Sequence, residues 1–179
     1  MSFRIIDLNE CLISSVINIA DKQLGEGYIT PEILTAPDVI TRVALFKDII
    51  LGFSLYNILT PDQIEKIIRT AVEASPKSLL GLLKTIAVKS DSVGFGVGGE
   101  LVRDGVKVLK DHVNKIYAIG YQSKKGISVN GILTRAGFIK KYKIPDYWKE
   151  ESLERNYSCR DCGDPPCRCS AVIFVHTLH

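Results

Sequence analysis

The sequence lacks an excess of either charge, since 23 Lys and Arg residues oppose 20 Asp and Glu residues for a formal net charge of +3. A balance this even gives no reason to expect nucleic acid as a partner. Hydrophobic residues make up 46% of the chain and charged residues 24%, which is ordinary for a globular protein. Neither an internal repeat nor a low-complexity tract is present. We therefore expect residues 1–179 to form a single domain with a sizeable core.

Long hydrophobic runs are also missing. Lys47 and Asp48 interrupt the longest apolar stretch before it reaches the about 20 residues that a membrane-spanning helix needs. The N-terminal stretch MSFRIIDLNECL has neither the basic region nor the long apolar core of a signal peptide. These absences predict a cytoplasmic protein with no membrane partner. The residues select no oligomeric state and leave a dimer open.

Alternating and 3.6-residue apolar patterns follow one another along the chain. Strand patterns occupy residues 3–8, 79–88, 115–121, 137–142 and 171–178, and a hairpin turns at Lys47 and Asp48. Five helix patterns are present. The first occupies residues 12–24, and the second is a short segment that begins at Thr30 and Pro31. The third occupies residues 61–74 after a capping box of Thr60 and Gln63, the fourth is the apolar stripe from Val97 to Val113, and the fifth occupies residues 128–136. Gly105 interrupts the fourth of these helices at a cost of about 1 kcal/mol. Strands and helices mixed in this order predict an α/β fold.

The stretch SDSVGFGVGGELV has four glycines in the six positions from 94 to 99, between a strand and a helix. Bare backbone at a helix start offers N–H donors and the positive end of the helix dipole, which suit phosphate oxygens. A Walker loop is excluded because no lysine follows, and a Rossmann fingerprint, formally met by Gly94, Gly96 and Gly99, lacks the acidic residue that should end the next strand. A plain turn needs only one or two glycines. The pattern therefore favours a phosphate site.

The segment IAVKSDSVGFGVGGEL, residues 86–101, resembles the coenzyme A signature of the GNAT superfamily of N-acetyltransferases. The residues in register are Ala87, Val88, Gly94, Gly96, Val97, Gly98 and Leu101. LGEGYITPEIL is similar to the helix-loop-helix near the acceptor site of that family, VALFKDIILGFSLY to its second and third strands, and ILTRAGF to its helix-to-strand corner. The resemblance covers residues 3–142 and the final strand. It implies a mixed, mainly antiparallel sheet of six to seven strands flanked by helices.

The resemblance also implies the ligands and the residues that hold them. Acetyl-CoA is the implied cosubstrate, and an amine of a small molecule or a protein is the acceptor. The implied cofactor-binding residues are Ala87, Val88, Val93, Gly94, Phe95, Gly96, Val97 and Gly98. The pyrophosphate would bind the backbone amides of residues 93–98, and the pantetheine arm would pair with the strand at Ala87 and Val88. The acetyl group would lie where this strand separates from KIYAIGY.

Two positions depart from the family pattern. Val93 replaces the usual Arg or Gln, and Leu133 replaces the Tyr that protonates the departing thiolate in many members. The sequence offers substitutes for this Tyr at Tyr117, Tyr121, Tyr142 and Tyr147, and bases at Glu26 and Glu32. We assign no catalytic residue from the sequence. The departures leave two functions open: an N-acetyltransferase, or a non-catalytic relative that binds coenzyme A or a protein partner.

Four of the five cysteines lie together in NYSCRDCGDPPCRCS, with Cys159, Cys162, Cys167 and Cys169 separated by two, four and one residues. Four thiolates on a short turn-rich segment suit a tetrahedral structural zinc, with another soft metal and free or redox-paired thiols as alternatives. We expect residues 157–170 to form a cysteine-rich, metal-binding insertion within the 28-residue segment 143–170, packed by Tyr147, Trp148 and Tyr157. The fifth cysteine, Cys11, is expected to be a buried thiol.

Overall fold

The computed structural model describes residues 2–75, 77–124, 126–127 and 129–178. The strands are β1 (Arg4–Asp7), β2 (Val39–Phe46), β3 (Ile49–Leu59), β4 (Leu80–Val88), β5 (Lys115–Ser123), β6 (Gly126–Ile127), β7 (Ile139–Ile144) and β8 (Ser170–Thr177). The helices are α1 (Ile13–Gln23), α2 (Pro31–Leu34), α3 (Lys66–Ala71), α4 (Val97–Leu109), α5 (Asn130–Arg135) and α6 (Lys149–Arg155). The predicted start of the fifth helix at residue 128 lies outside the described residues.

All the strands belong to one sheet, in the order β1-β2-β3-β4-β5-β8-β7, with the two-residue strand β6 paired to β5. Every neighbouring pair in this order is antiparallel except β4 and β5, which are parallel. The predicted mixed and mainly antiparallel sheet is therefore confirmed, as is the hairpin that turns at Lys47 and Asp48. Within the part of the chain that is described, no helix is both long and apolar enough to span a membrane.

The one parallel pair is short. Strands β4 and β5 are in register only over Gly81–Leu83 and Ile116–Ala118. Beyond Leu83, β4 continues to pair with β3 as far as Val88, while β5 continues to pair with β8 as far as Gln122. The register of β4 on β3 shifts between Leu83 and Thr85, which makes Lys84 the extra residue of a β-bulge. Because a bulge bends its strand and increases the local twist, it separates the rest of β4 from β5.

The two faces of the sheet are covered by different helices. On one face, Val16 and Ile19 of α1 pack with Phe53 and Leu55 of β3. On the other face, Val102 and Leu109 of α4 pack with Tyr56 of β3 and Leu83 of β4. Alternate residues of β3 therefore contribute to opposite layers of the core, as the two-residue period of a strand requires. The fully buried Tyr56 hydroxyl donates a hydrogen bond of 2.6 Å to the Leu101 carbonyl oxygen, which attaches α4 to the sheet.

The predicted helix over residues 61–74 is wrong in its extent. Residues Pro61–Gln63 form a single 3-10 turn, and α3 occupies only Lys66–Ala71. The Thr60 amide donates to Gln63 Oε1 at 2.8 Å, so the predicted capping interaction is present. Ile64 and Glu65 then adopt extended backbone angles, and Ile64 is buried beside Ile68 in the core. The tertiary packing of the Ile64 side chain is therefore favoured here over one continuous helix from residue 61 to residue 74.

Two further predictions need correction. The helix after the glycine stretch ends at Leu109, so Val113 packs against the same core from the following turn instead of from the helix. Cys11 is exposed in a 3-10 turn at Glu10–Leu12 and is not a buried thiol. This turn precedes the amphipathic part of α1, whose buried residues begin at Val16.

Gly105 lies where α4 crosses the sheet. A Cβ atom at this position would lie 2.6 Å from Cε1 of Tyr56 and 2.7 Å from Cδ2 of Leu83. Such distances are much shorter than van der Waals contact, so the helix can approach the sheet this closely only without a side chain at position 105. The helix-propensity cost of Gly105, about 1 kcal/mol, is thus offset by close packing.

We expect Gly105→Ala to destabilise the protein by about 1–3 kcal/mol, because overpacking exceeds the gain in helix propensity. Urea unfolding measures this change. The matched control is Gly99→Ala in the same helix, where a Cβ would have its nearest neighbour at 3.9 Å, on Arg103. This control should change stability by less than about 1 kcal/mol. Equal effects of the two substitutions would contradict the packing role of Gly105.

Candidate active-site cleft and four-cysteine cluster

The glycine stretch forms an open loop between β4 and α4. Gly94 and Gly96 have φ values of 94° and 81°, in the left-handed region that favours glycine. A Cβ atom at either position would have no neighbour within 4 Å. Val93 and Phe95 are 69% and 53% exposed, whereas Val97 is buried at the first turn of α4. The loop therefore has exposed backbone at Gly94 and Gly96, next to the positive end of the α4 dipole.

The two strand residues predicted to contact the cofactor lie at the end of β4. Ala87 is opposite Phe53 and Val88 is opposite Gly52, both on β3. Since the register of β4 with β5 ends at Leu83, the other edge of β4 at these residues faces the gap between the strands. Strand edges of this kind bind extended chains through main-chain hydrogen bonds. The structure thus places the strand members of the predicted site beside the gap, at the end of β4 from which the glycine loop follows. None of the eight predicted cofactor-binding residues is among the described residues that line the cavity in this gap.

A cavity fills the gap between the separated strands. Its walls are residues 83–86 of β4 and residues 118–121 of β5. Leu133 of α5 and Val129 close it on the α4 side of the sheet. On the opposite side it is bounded by Leu24, Tyr28, Trp148, Tyr157, Cys159, Arg160, Cys167 and Cys169. The cavity therefore has lining residues on both faces of the sheet, from α5 on one face to the cysteine-rich segment on the other.

Leu133 lies in this cavity wall and is only 1% exposed. The position where the family pattern has a tyrosine is therefore beside the gap, but it carries no group that can transfer a proton. Of the substitutes that the sequence offers, Tyr121 lines the cavity. Tyr117 and Tyr147 line an adjoining groove instead, where the Tyr147 hydroxyl donates to Glu65 at 2.7 Å. Tyr142 lies on β7 and is 48% exposed.

The two glutamates considered as bases lie away from the cavity. Glu26 is exposed, and its backbone amide donates to Ser158 Oγ at 3.2 Å. Glu32 is in the first turn of α2, where a hydrogen bond with Thr30 lowers its pKa. Among the described residues that line the cavity, neither glutamate is present. The structure therefore gives Glu32 a role at the helix start.

Tyr28 is the cavity residue that sequence reasoning missed. It follows α1 in the loop that precedes α2, and it lines both the cavity and the adjoining groove. Burial, with a smaller contribution from the charge of Glu151, raises its pKa to about 12. A tyrosine is protonated at neutral pH even at its ordinary pKa, and the raised pKa makes the Tyr28 phenol a weaker acid that can still donate a hydrogen bond. The resemblance pointed to this loop, but only the folded chain shows which of its side chains enters the gap.

The four clustered cysteines converge at the far end of the cavity. Their sulfur atoms all lie within 4.8 Å of one another, with 3.5 Å between Cys162 and Cys169 and 3.8 Å between Cys159 and Cys169. Zinc–sulfur bonds of about 2.3 Å in tetrahedral geometry place the sulfurs about 3.8 Å apart. The spacing therefore fits one tetrahedral ion held by four thiolates.

The electrostatics of the cluster also fit a cation. A hydrogen bond with Cys167 lowers the pKa of Cys159 to about 5. The same hydrogen bond, together with burial, raises the pKa of Cys167, and burial raises that of Cys169 to about 12. Several thiolates this close repel one another, so the protein alone stabilises few of them. A divalent cation at the centre of the cluster would compensate their charge.

The segment that carries the cysteines is held by specific hydrogen bonds. Cys159 and Gly163 exchange two backbone hydrogen bonds of 2.8 Å, which close a tight turn with Gly163 at a φ of 82°. The Cys167 amide donates to Ser152 Oγ of α6 at 2.8 Å. Tyr157 is 3% exposed, and Tyr147 and Trp148 pack against the core, which confirms the predicted aromatic packing of this segment.

No protein-family profile matches the sequence, and no curated protein matches it either. Solved structures do match. Arabidopsis thaliana NAA60 in complex with acetyl-CoA has a TM-score of 0.74 at 13% identity, with 98% of each chain covered. The Escherichia coli ribosomal-protein-S18-alanine N-acetyltransferase has a TM-score of 0.67 at 14% identity, over 99% of this chain and 94% of that chain. Ard1 from Thermoplasma volcanium has a TM-score of 0.69 at 13% identity, over 100% of this chain and 99% of that chain.

These similarities extend over the whole length of the chain, at identities far too low to transfer a residue role. They confirm the fold that the resemblance implied: the chain has the fold of the GNAT N-acetyltransferases, with four neighbouring cysteines before its last strand.

Proposed function

We propose that this protein is an acetyl-CoA-dependent N-acetyltransferase that moves an acetyl group to an amine of a small molecule or a protein. The observation that carries the proposal is the separation of β4 from β5 next to an open glycine loop. A thioester carrier needs this combination, because its diphosphate requires backbone amides while its acyl end requires a dry gap nearby. Two structural neighbours support the assignment: NAA60 was solved with acetyl-CoA, and the Escherichia coli enzyme is named for an alanine acceptor.

The proposed cofactor site consists of main chain. It comprises Ala87, Val88, Val93, Gly94, Phe95, Gly96, Val97 and Gly98. Amides of the loop and of the first turn of α4 would bind the pyrophosphate, since the first helical N–H groups have no partner within the helix. The pantetheine arm would pair with the edge of β4 that faces the gap. Replacement of the usual basic residue by Val93 removes one side chain from this site and leaves the amides in place.

The proposed reaction joins the acceptor nitrogen to the acetyl carbonyl carbon, breaks the carbon–sulfur bond and returns a proton to the departing thiolate. The attacking amine must be neutral, and for a lysine-like amine with a pKa of about 10.4 this requires about 4.6 kcal/mol at pH 7. Backbone amides at the strand ends would stabilise the developing oxyanion. Among the described residues, three phenols line the cavity: Tyr28, Tyr121 and Tyr157. We assign the proton donor to Tyr28, because it lies in the loop that the resemblance places near the acceptor.

One observation favours a second function. Leu133 provides no proton donor at the expected position, so the chain would also suit a non-catalytic protein that binds coenzyme A or a protein partner. This alternative has the same cofactor site as the proposed acetyltransferase and differs from it only in that no acetyl group is transferred.

The cofactor site is tested by Gly96→Ala, which places a methyl group on the proposed path of the diphosphate and strains a positive φ. Calorimetry should show that the wild-type protein binds acetyl-CoA and not NAD, and that the substitution raises the Kd for acetyl-CoA about ten- to a hundredfold. Gly126→Ala is the matched control, because Gly126 also has a positive φ, of 104°, with no atom within 4 Å of a Cβ. If both substitutions change the Kd equally, the loop is not the diphosphate site.

Turnover is tested by thiol release from acetyl-CoA with a panel of peptides bearing a free α-amine, lysine side chains and small polyamines. We expect release with one of these classes, and a decrease in kcat of about ten- to a hundredfold in Tyr28→Phe, typical of losing a general acid. Tyr142→Phe, on the exposed face of β7, should leave kcat unchanged. Tight binding of acetyl-CoA without release on any amine would favour the non-catalytic alternative.

We propose that Cys159, Cys162, Cys167 and Cys169 bind structural zinc. All four tetrahedral positions are filled by protein sulfur, so no position is open for chemistry. Zinc would hold residues 157–170 as a metal-binding insertion within a single domain of 179 residues. In the cytoplasm that the sequence predicts, these thiols stay reduced and available to the metal.

Metal analysis of protein purified without a polyhistidine tag should find about one zinc per chain. Cys162→Ser, which removes one ligand, should lower that content at least about tenfold after dialysis. Cys11→Ser is the matched control, because Cys11 is also exposed but lies outside the cluster. Full zinc content in Cys162→Ser, or none in the wild-type protein, would rule out this site.

A further inference from the structure

Two segments far apart in sequence meet at the end of the cavity. We call residues 24–30, between α1 and α2, the acceptor loop, and residues 157–170 the knuckle. The Arg160 amide donates to the Leu24 carbonyl oxygen at 3.0 Å, and the Ser158 amide donates to the Glu26 carbonyl oxygen at 3.2 Å. The Glu26 amide in turn donates to Ser158 Oγ at 3.2 Å. The two segments therefore pair through their main chains, much as neighbouring strands do.

The pairing includes a contact that only glycine permits. A Cβ atom at Gly25 would lie 1.9 Å from the Ser158 carbonyl oxygen, and Gly25 has a φ of 138°. The backbones of the acceptor loop and the knuckle are consequently as close as they can be. The Arg160 side chain adds hydrogen bonds of 3.1 Å to Gln23 Oε1 and 3.3 Å to the Gln23 carbonyl oxygen.

The same junction positions Tyr28. Its ring packs edge-on against Tyr157 at a centroid distance of 5.1 Å, and its carbonyl oxygen accepts a hydrogen bond of 2.8 Å from Arg155. Tyr157 and Arg155 lie two and four positions before Cys159, the first cysteine of the cluster. A displacement of the knuckle would therefore also displace Tyr28, which is part of the cavity wall.

The metal ligands border the same cavity. Cys159, Cys167 and Cys169 line it, whereas Cys162 is exposed and lies on the outer side of the cluster. Between the end of α6 at Arg155 and the start of β8 at Ser170, the chain has no helix or ladder strand to hold it. Four bonds to one ion would constrain this stretch as a crosslink does, because metal binding converts ligation energy into local order.

We propose that metal binding at the knuckle fixes the acceptor loop and thereby shapes the amine side of the cavity, with no contribution to coenzyme A binding. The glycine loop lies on the opposite side of the gap, where the Lys89 amide donates to the Leu51 carbonyl oxygen of β3 at 2.8 Å. The donor side is thus held by the sheet and α4. One hydrogen bond joins it to the other side, of 2.9 Å from Gln23 Nε2 to Ser90 Oγ, and Gln23 is also the residue that Arg160 contacts. This bond is between exposed side chains, so the amine side depends mainly on the knuckle. The inference rests on the proposed function only in naming which side receives the amine.

The test is amide hydrogen exchange on the full chain, loaded with zinc, stripped by a chelator and reloaded with zinc. When zinc is removed, the protection of the Glu26 and Arg160 amides against exchange should fall at least about tenfold, and reloading with zinc should restore it. Amides of β4 and α4 should keep theirs. In parallel, calorimetry should show that the Kd for coenzyme A changes less than about twofold.

Two variants separate the metal from the contact. Cys162→Ser should reproduce the stripped pattern in the presence of zinc, since it removes a ligand that does not line the cavity, whereas Cys11→Ser should behave as wild type. Gly25→Ala leaves all four cysteines in place but cannot keep the close approach to Ser158. It should retain zinc and still lose protection at Glu26 and Arg160.

Three results would overturn the inference. Unchanged protection after stripping would show that the loop is ordered without metal. Loss of protection throughout β4 and α4 would show that the metal supports the whole fold instead of one junction. A Kd for coenzyme A that rises together with zinc loss would place the metal on the donor side. Failure of the zinc-loaded protein to bind coenzyme A at all would instead refute the proposed function, while exchange at Glu26 and Arg160 would still decide the coupling.

Discussion

The separation of β4 from β5 is the constraint on which the rest of the structure depends. Up to Leu83, β4 is hydrogen-bonded on both sides, and beyond the bulge at Lys84 only β3 remains as its partner. The free edge, the cavity and the access to the glycine loop all follow from this one change of pairing. Because β3 continues beside β4 as far as Val88, β4 keeps one strand partner along its free edge.

The amphipathic helix α4 links this gap to the core. Its contact with the sheet is set by Gly105 against Tyr56, and its first turn follows directly from the loop at Gly94 and Gly96. Packing at Gly105, eight residues after the start of α4 at Val97, therefore also positions the loop that precedes the helix. The absence of side chains serves two purposes here: close packing at Gly105 within α4, and exposed backbone at Gly94 and Gly96 in the loop before it.

The features that sequence reasoning predicted are those encoded locally. The apolar density of residues 79–88, the hairpin at Lys47 and the four glycines of residues 94–99 each require only neighbours in sequence. The four cysteines lie within eleven residues, so their convergence needed no long-range knowledge. Tyr28 was missed because its role depends on Tyr157, which lies 129 positions along the chain. Exposure of Cys11 and the break in the helix at Ile64 likewise depend on which side chains the tertiary structure buries, and a single sequence does not show this.

The two sides of the gap differ in what holds them, and this difference has a chemical consequence. The proposed cofactor site consists of main chain, so under this proposal no basic side chain is required at position 93. The amine side consists of side chains from three separate segments, including Tyr28, Trp148 and Arg160. Its shape can therefore change without disturbing the donor side. A proton donor located on this amine side, as proposed for Tyr28, comes under the control of whatever orders the acceptor loop. Under the two proposals, proton transfer and acceptor recognition are then coupled through one junction.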